Sequence, residues 1–159
     1  MQTIVNIRID ERLVHGQVAI TWTHTLGATR IMVIDDETVK NDIQKPLLKM
    51  ACPPGIKLSI LSVASAVTNL LANKYDGDKV FIVVKNPETL IRLWDGGFHF
   101  EAVNVGNMSG KDDSVQIKKA VSVTPRDVEM FKILDGHGVK LTAQMVPNDE
   151  ALKLMDLIK

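Results

Sequence analysis

Ten residues near the start of the chain, "RIDERLVHGQ" (8–17), gather two arginines, two acids and a histidine beside a hydrophobic run. Arg8, Asp10, Glu11, Arg12 and His15 crowd a place where a simple connection needs only a turn. The run "TIVNIRI" (3–9) reads as a strand, and "HGQVAITWTHTLG" (15–27) as a helix closed by Gly27. His15 therefore stands last in the loop and first in the helix, where unpaired backbone N–H groups favour an anion. Gly16 lets a ligand come close to the backbone. Arg12 and Arg8 add planar, multidentate donors suited to phosphate oxygens. Asp10 is placed either to hold one arginine or to accept from the imidazole and set its tautomer. A histidine in such a cradle can attack a phosphoryl donor through a ring nitrogen and become a covalent carrier. The transfer needs positioning and charge stabilisation, which arginine and a helix N-terminus supply without a metal. A solvated loop in which the arginines pair with the acids fits the same residues, and spacing alone does not separate the two readings.

The elements that position this loop follow from hydrophobic periodicity. Strands are expected at "RIMVID" (30–35), "IKLSILS" (56–62), "KVFIVV" (79–84), "EAVNVG" (101–106), "AVSV" (120–123) and "GVKLTAQMV" (138–146). Helices are expected near 37–51, 63–74 and 87–95, after Thr124-Pro125, and over 149–158. Pro46 predicts a kink or a late start in the first of these. Strands separated by crossover helices imply an α/β fold: one mostly parallel, doubly wound sheet with helices on both faces. "VFIVV" and "RIMVI" are apolar without alternation, as strands covered on both faces should be. No linker or repeat divides the chain, so residues 1–159 are expected to form one domain. Ligands in such sheets bind beyond the carboxyl ends of the strands. The segments expected there are 10–15, Asp35-Asp36-Glu37, Lys85-Asn86-Pro87 and Gly106-Asn107-Met108-Ser109-Gly110.

Composition narrows the functional classes. Lys plus Arg equals Asp plus Glu at 19 each and aromatics are only 4%, which argues against nucleic acid as a partner. The single cysteine, Cys52, excludes an intramolecular disulfide and a multi-cysteine metal site, and it reads as a small structural residue. The start of the chain lacks a signal peptide, and no apolar run approaches the ~20 residues of a membrane span, so a cytoplasmic protein is expected. His24, His99 and His137 have no second ligand at metal spacing and read as structural or solvent-facing. Asp35-Asp36 reads as a helix cap, with metal ligation or phosphate acceptance as the alternatives. Lys85-Asn86-Pro87 reads as a turn opening a helix. "GNMSGKDD" does not match a phosphate-binding P-loop. Trp22 and Trp94 read as packing residues.

"RIDERLVHGQV" closely resembles the N-terminal signature of the IIB components of the mannose/fructose/sorbose family, which includes N-acetylgalactosamine systems, of the bacterial sugar phosphotransferase system. The resemblance continues through "VIDDE", "PPGIKL", "VKNPETL" and "VNVGNMSGKDDSVQIKKAVSV" to "GVKL", essentially the whole chain. It implies that His15 is the phosphorylated residue, carrying phosphate on Nδ1. It also implies that Arg12 stabilises the transferred group, with Asp10 as a further catalytic position. Arg8, Gly16, Gln17 and Asn107 are carried over as phosphate- or partner-binding positions. The implied donor is a phosphohistidine of a IIA protein. The implied acceptor is a sugar held by a membrane IIC/IID permease, with no metal or organic cofactor and a peripheral association with the inner membrane face. The family and the apolar helix faces make a homodimer reasonable. The chain departs from many members at Ser109-Gly110, where a histidine or bulky residue follows the methionine.

Overall fold

The computed structural model describes residues 1–158. Six parallel strands are laid down in the order β3-β2-β4-β1-β5-β8, and a short antiparallel β9 closes the β8 edge. They are β1 (Thr3–Asp10), β2 (Arg30–Ile34), β3 (Lys57–Leu61), β4 (Lys79–Val84), β5 (Ala102–Asn107), β8 (Lys140–Ala143) and β9 (Leu152–Lys153). β1 is central, in parallel register with β4 on one side and β5 on the other. The fold class is as expected, a mostly parallel α/β sheet between helices.

Two apolar clusters lie on the two faces. Trp22 and Ala19 of α1 (Gly16–Leu26) and Leu48 of α3 (Gln44–Ala51) pack on Ile31, Val33, Phe81 and Val83. The opposite face holds α4 (Val63–Leu71), α5 (Pro87–Asp95) and α6 (Pro125–Gly136) over Ile7, Ile9, Ile82, Val103, Val105 and Leu141. β2 and β4 feed both clusters, which is why their sequences do not alternate. The chain leaves β1 towards β2 and leaves β5 towards β8. The connections after these neighbouring strands therefore diverge, leaving a crevice at their carboxyl ends.

Three expected elements differ. The helix over 37–51 is two: α2 (Asp36–Val39) ends before Asn41, whose Oδ1 accepts from the N–H groups of Ile43 and Gln44 at the start of α3. Pro46 then falls in the first turn of α3, where its missing N–H removes no helical bond. The "AVSV" strand is not in the main sheet. β7 (Val121–Val123) pairs with β6 (Val115–Lys118) in a separate antiparallel hairpin, tied to the end of β5 through Met108. The final helix shrinks to α7 (Leu154–Leu157), because Leu152 and Lys153 bond to the edge strand β8 instead. Satisfying an open sheet edge outweighs helical periodicity there.

Candidate functional site

The loop opening this crevice is shaped by its buried members. Arg8 and Asp10 are only 2% and 1% exposed, at the carboxyl end of β1. Asp10 accepts from Arg8 Nη2 at 3.3 Å, from Arg12 Nε at 3.0 Å and Nη2 at 2.8 Å, and from the Arg12 backbone N–H at 3.0 Å. Both of its oxygens are thus engaged by arginine, so Asp10 holds Arg12 rather than setting an imidazole tautomer. The forked Arg12–carboxylate geometry is the strong form of this contact, and it raises the Arg12 pKa.

Arg8, expected to bind phosphate, is buried, and both of its Nη atoms are committed within the protein. Nη1 donates to the Gln144 carbonyl at 3.0 Å and Nη2 to the Met145 carbonyl at 2.9 Å. Its guanidinium lies 5.2 Å from the Trp22 ring centroid, and Trp22 Nε1 donates to the same Met145 carbonyl at 3.0 Å. Burial lowers the Arg8 pKa, and the nearby Asp10 carboxylate opposes that shift. Arg8 is therefore the fixed cation that keeps Asp10 compensated while Arg12 faces outward, 31% exposed.

Past Arg12 the backbone turns sharply. Leu13 N–H donates to the Asp10 carbonyl at 2.9 Å, and Leu13 takes the left-handed φ of 62°. That conformation is unfavourable for a side-chain-bearing residue, and the burial of Leu13 among the α1 cluster holds it. His15 is the extended N-cap residue of α1 and is exposed, and its side chain caps no N–H. No acidic residue lies in the first turn either, so the positive end of the helix is not compensated there. Gly16, with φ of 40°, opens the helix, and Gln17 follows it, exposed.

The wall opposite is the segment after β5. Asn107 is brought to the loop through its backbone, whose carbonyl accepts from Glu11 N–H at 3.2 Å. Ser109 Oγ donates to the Glu11 carboxylate, and Lys111 Nζ sits 3.0 Å from it. Burial alone would raise the Glu11 pKa, but the bonds from Ser109 and Lys111 outweigh it and hold the carboxyl below its ordinary value. The bond to Glu11 likewise raises the Lys111 pKa.

The sequence placed residues 106–110 at this edge, but neither the latch on Glu11 nor the constraint on Gly106 was foreseen from it. A Cβ at Gly106 would stand 2.0 Å from Arg8 Cζ, so glycine is required for space rather than for φ. The other candidates are engaged by partners of their own. Asp35 caps α2 through Thr38, Asp36 accepts from Val63 N–H and Arg92, and Asn86 caps α5 through Thr89. Lys85 Nζ lies 3.7 Å from Asp35. His99 and His137 both stack on Trp94. Cys52 follows α3, and burial raises its thiol pKa. Among the described residues no group of His, Cys, Asp and Glu could hold a metal. No helix among them is long and apolar enough to cross a membrane.

Residues 4–159 match the family described as the sorbose subfamily of phosphotransferase-system IIB components. The chain belongs to this family. The family is one of phosphotransferase-system components. It is 40% identical to the sorbose-specific EIIB component of Lacticaseibacillus casei over 93% of this chain and 90% of that protein. The crystal structure of the IIB domain of the Klebsiella pneumoniae sorbose permease superposes with a TM-score of 0.94 at 33% identity, covering 98% of this chain and 96% of that one. The chain is also 40% identical, over 95% of its length, to the mannose-specific EIIAB component of Escherichia coli K12. It spans about half the length of that relative, 47%.

Proposed function

We propose that this IIB component is a phosphocarrier. Its His15 takes a phosphoryl group from a phosphohistidine of a IIA partner and passes it to a sugar held by a membrane IIC/IID permease. The observation that carries the reading is Arg12, locked onto Asp10 three residues before the uncapped N-terminus of an eleven-residue helix that begins beside His15. A guanidinium has five N–H donors, and the two nitrogens facing Asp10 leave others free for phosphoryl oxygens. The E. coli relative named as a mannose-specific EIIAB component supports a IIA partner. A peripheral place on the cytoplasmic membrane face follows from the permease partner.

In the proposed step, Nδ1 of neutral His15 attacks the donor phosphorus. A P–N bond forms at His15 as the donor's P–N bond breaks, and the donor imidazole recovers its electron pair. Each ring keeps the proton on its other nitrogen, so the exchange needs no general base. Charge on the three equatorial oxygens is met by Arg12 and the first N–H groups of α1, and no metal or organic cofactor takes part. In the second step a sugar hydroxyl oxygen forms the new P–O bond, the His15 P–N bond breaks with its electron pair returning to Nδ1, and the hydroxyl proton passes to solvent.

Incubation with phosphorylated IIA protein tests this reading. His15→Ala should take up no phosphate, while His24→Ala and Cys52→Ser should be labelled as the unmodified chain is. The label should be acid-labile, as a phosphoramidate is. Labelling of His15→Ala would refute the assignment.

A further inference from the structure

β5 and β8 place Val103, Val105, Leu141 and Ala143 in the cluster beneath α5 and α6. Their alternate residues Asn104 and Thr142 therefore face the other side, with Gln144 just past the end of β8. On that side no residue of β5 or β8 joins the cluster beneath α1 and α3. A groove of about 620 Å³ opens there, with Asn6, Asn104, Thr142 and Gln144 in its lining and Phe98 and Phe100 bordering one end. Parallel strands covered on both faces are apolar on both. These strands are polar on one, along a groove of the size that takes a small organic molecule.

Asn104 is the decisive residue. It is 4% exposed, yet neither its Oδ1 nor its Nδ2 has a hydrogen-bond partner. Buried polar groups are nearly always hydrogen-bonded, so an orphaned carboxamide in the lining of a groove points to a partner that fills it. A carboxamide presents a donor and an acceptor side by side, which matches neighbouring hydroxyls on a sugar ring. Asn6 and the Thr142 hydroxyl extend the same chemistry along the groove. Lys140 and Glu101 also line the groove, and both are exposed.

We infer that this groove binds a hexose-sized polyol, at a site separate from the His15 loop. The inference draws on the family's place in sugar uptake and is independent of which residue carries phosphate. Two sources present the same ring chemistry, the free sugar and its phosphate ester.

The test titrates the full-length chain with D-mannose, D-fructose, L-sorbose and the 6-phosphates of the first two, following side-chain amide signals by ¹H–¹⁵N NMR. The Asn104 and Asn6 amides should shift and saturate, with a dissociation constant on the order of 1 mM. Ala102→Phe fills the groove from an exposed position and should weaken binding by about tenfold or more. It should leave labelling of His15 unchanged. Asn104→Leu should weaken binding similarly. Lys140→Gln separates the sources: loss of phosphate-ester binding alone assigns the phosphorylated product, and equal binding of the free sugars assigns the neutral ring. Absence of amide shifts with every probe well above the millimolar range overturns the inference. Shifts confined to residues 10–17 overturn it as well. A chain that binds sugar here but takes no phosphate on His15 overturns the proposed function and leaves this site standing.

Discussion

Replacing Gly106 with alanine tests whether the buried arginine is the keystone of the loop. The new Cβ would lie 2.0 Å from Arg8 Cζ, 2.1 Å from Nη2 and 2.2 Å from Nη1. Carbon atoms pack at about 3.5–4.0 Å, so the guanidinium must move by roughly 1.5 Å or more. A shift of that size breaks the bonds from Nη1 to Gln144 at 3.0 Å and from Nη2 to Met145 at 2.9 Å, leaving a cation that is 2% exposed without its two carbonyl acceptors. Disrupting a buried charge in this way costs about 3–5 kcal/mol. Urea unfolding should show it as a midpoint lowered by roughly 1.5–2.5 M, taking a slope of about 2 kcal/mol/M. Gly110→Ala is the control, since its Cβ would meet Ser114 and Ser122 hydroxyls at an ordinary 3.8 Å. A Gly106→Ala loss below about 1 kcal/mol, comparable to that of Gly110→Ala, would refute the reasoning.

Other consequences can be measured separately. Arg12→Gln should slow phosphoryl acceptance by about 10²–10³-fold, and it should cost about 1–3 kcal/mol of stability because it takes two bonds from the buried Asp10; stopped-flow transfer and urea unfolding give the two values. Arg8→Met should do the reverse first, lowering stability by about 3–5 kcal/mol before any kinetic effect is separable. The Glu11 latch should be pH-dependent at both ends. Its lowered carboxyl pKa contributes stability above the ordinary glutamate value of about 4.3, lost as pH falls through the folded value. The raised Lys111 pKa contributes below about 10.4, lost as pH rises through the folded value. Amide shifts of Ser109 and Lys111 should therefore be flat between about pH 5 and 10, and Glu11→Gln should abolish the acidic transition. Gly136→Ala, in open space at the end of α6, should stabilise the chain by about 0.5–1 kcal/mol in thermal or urea unfolding.

What was legible in the sequence had local causes. β1, β2 and β4 announce themselves by β-branched runs, and α5 by Asn86-Pro87, whose cap bond to Thr89 is present at 3.0 Å. Thr124-Pro125 likewise opens α6, with a capping box completed by Asp127. The sequence also marked the His15 loop as a concentration of charge at a strand end. It did not show how those charges divide, because Arg8 and Arg12 are alike in type. Their separation into a buried cation and an exposed one depends on the Gln144 and Met145 carbonyls, more than 130 residues away. Gly106 carried little signal for the same reason, since its constraint is a side chain from another strand. The final helix failed because the need of β8 for an edge partner is a tertiary requirement that periodicity does not encode.

The most direct test of the account is ³¹P NMR of the ¹⁵N-histidine-labelled chain after phosphorylation by IIA protein. One phosphoramidate signal is expected, coupled to Nδ1 of His15 and missing from His15→Ala. A phosphothioester signal that vanishes in Cys52→Ser, or a phosphoramidate retained by His15→Ala, would contradict it.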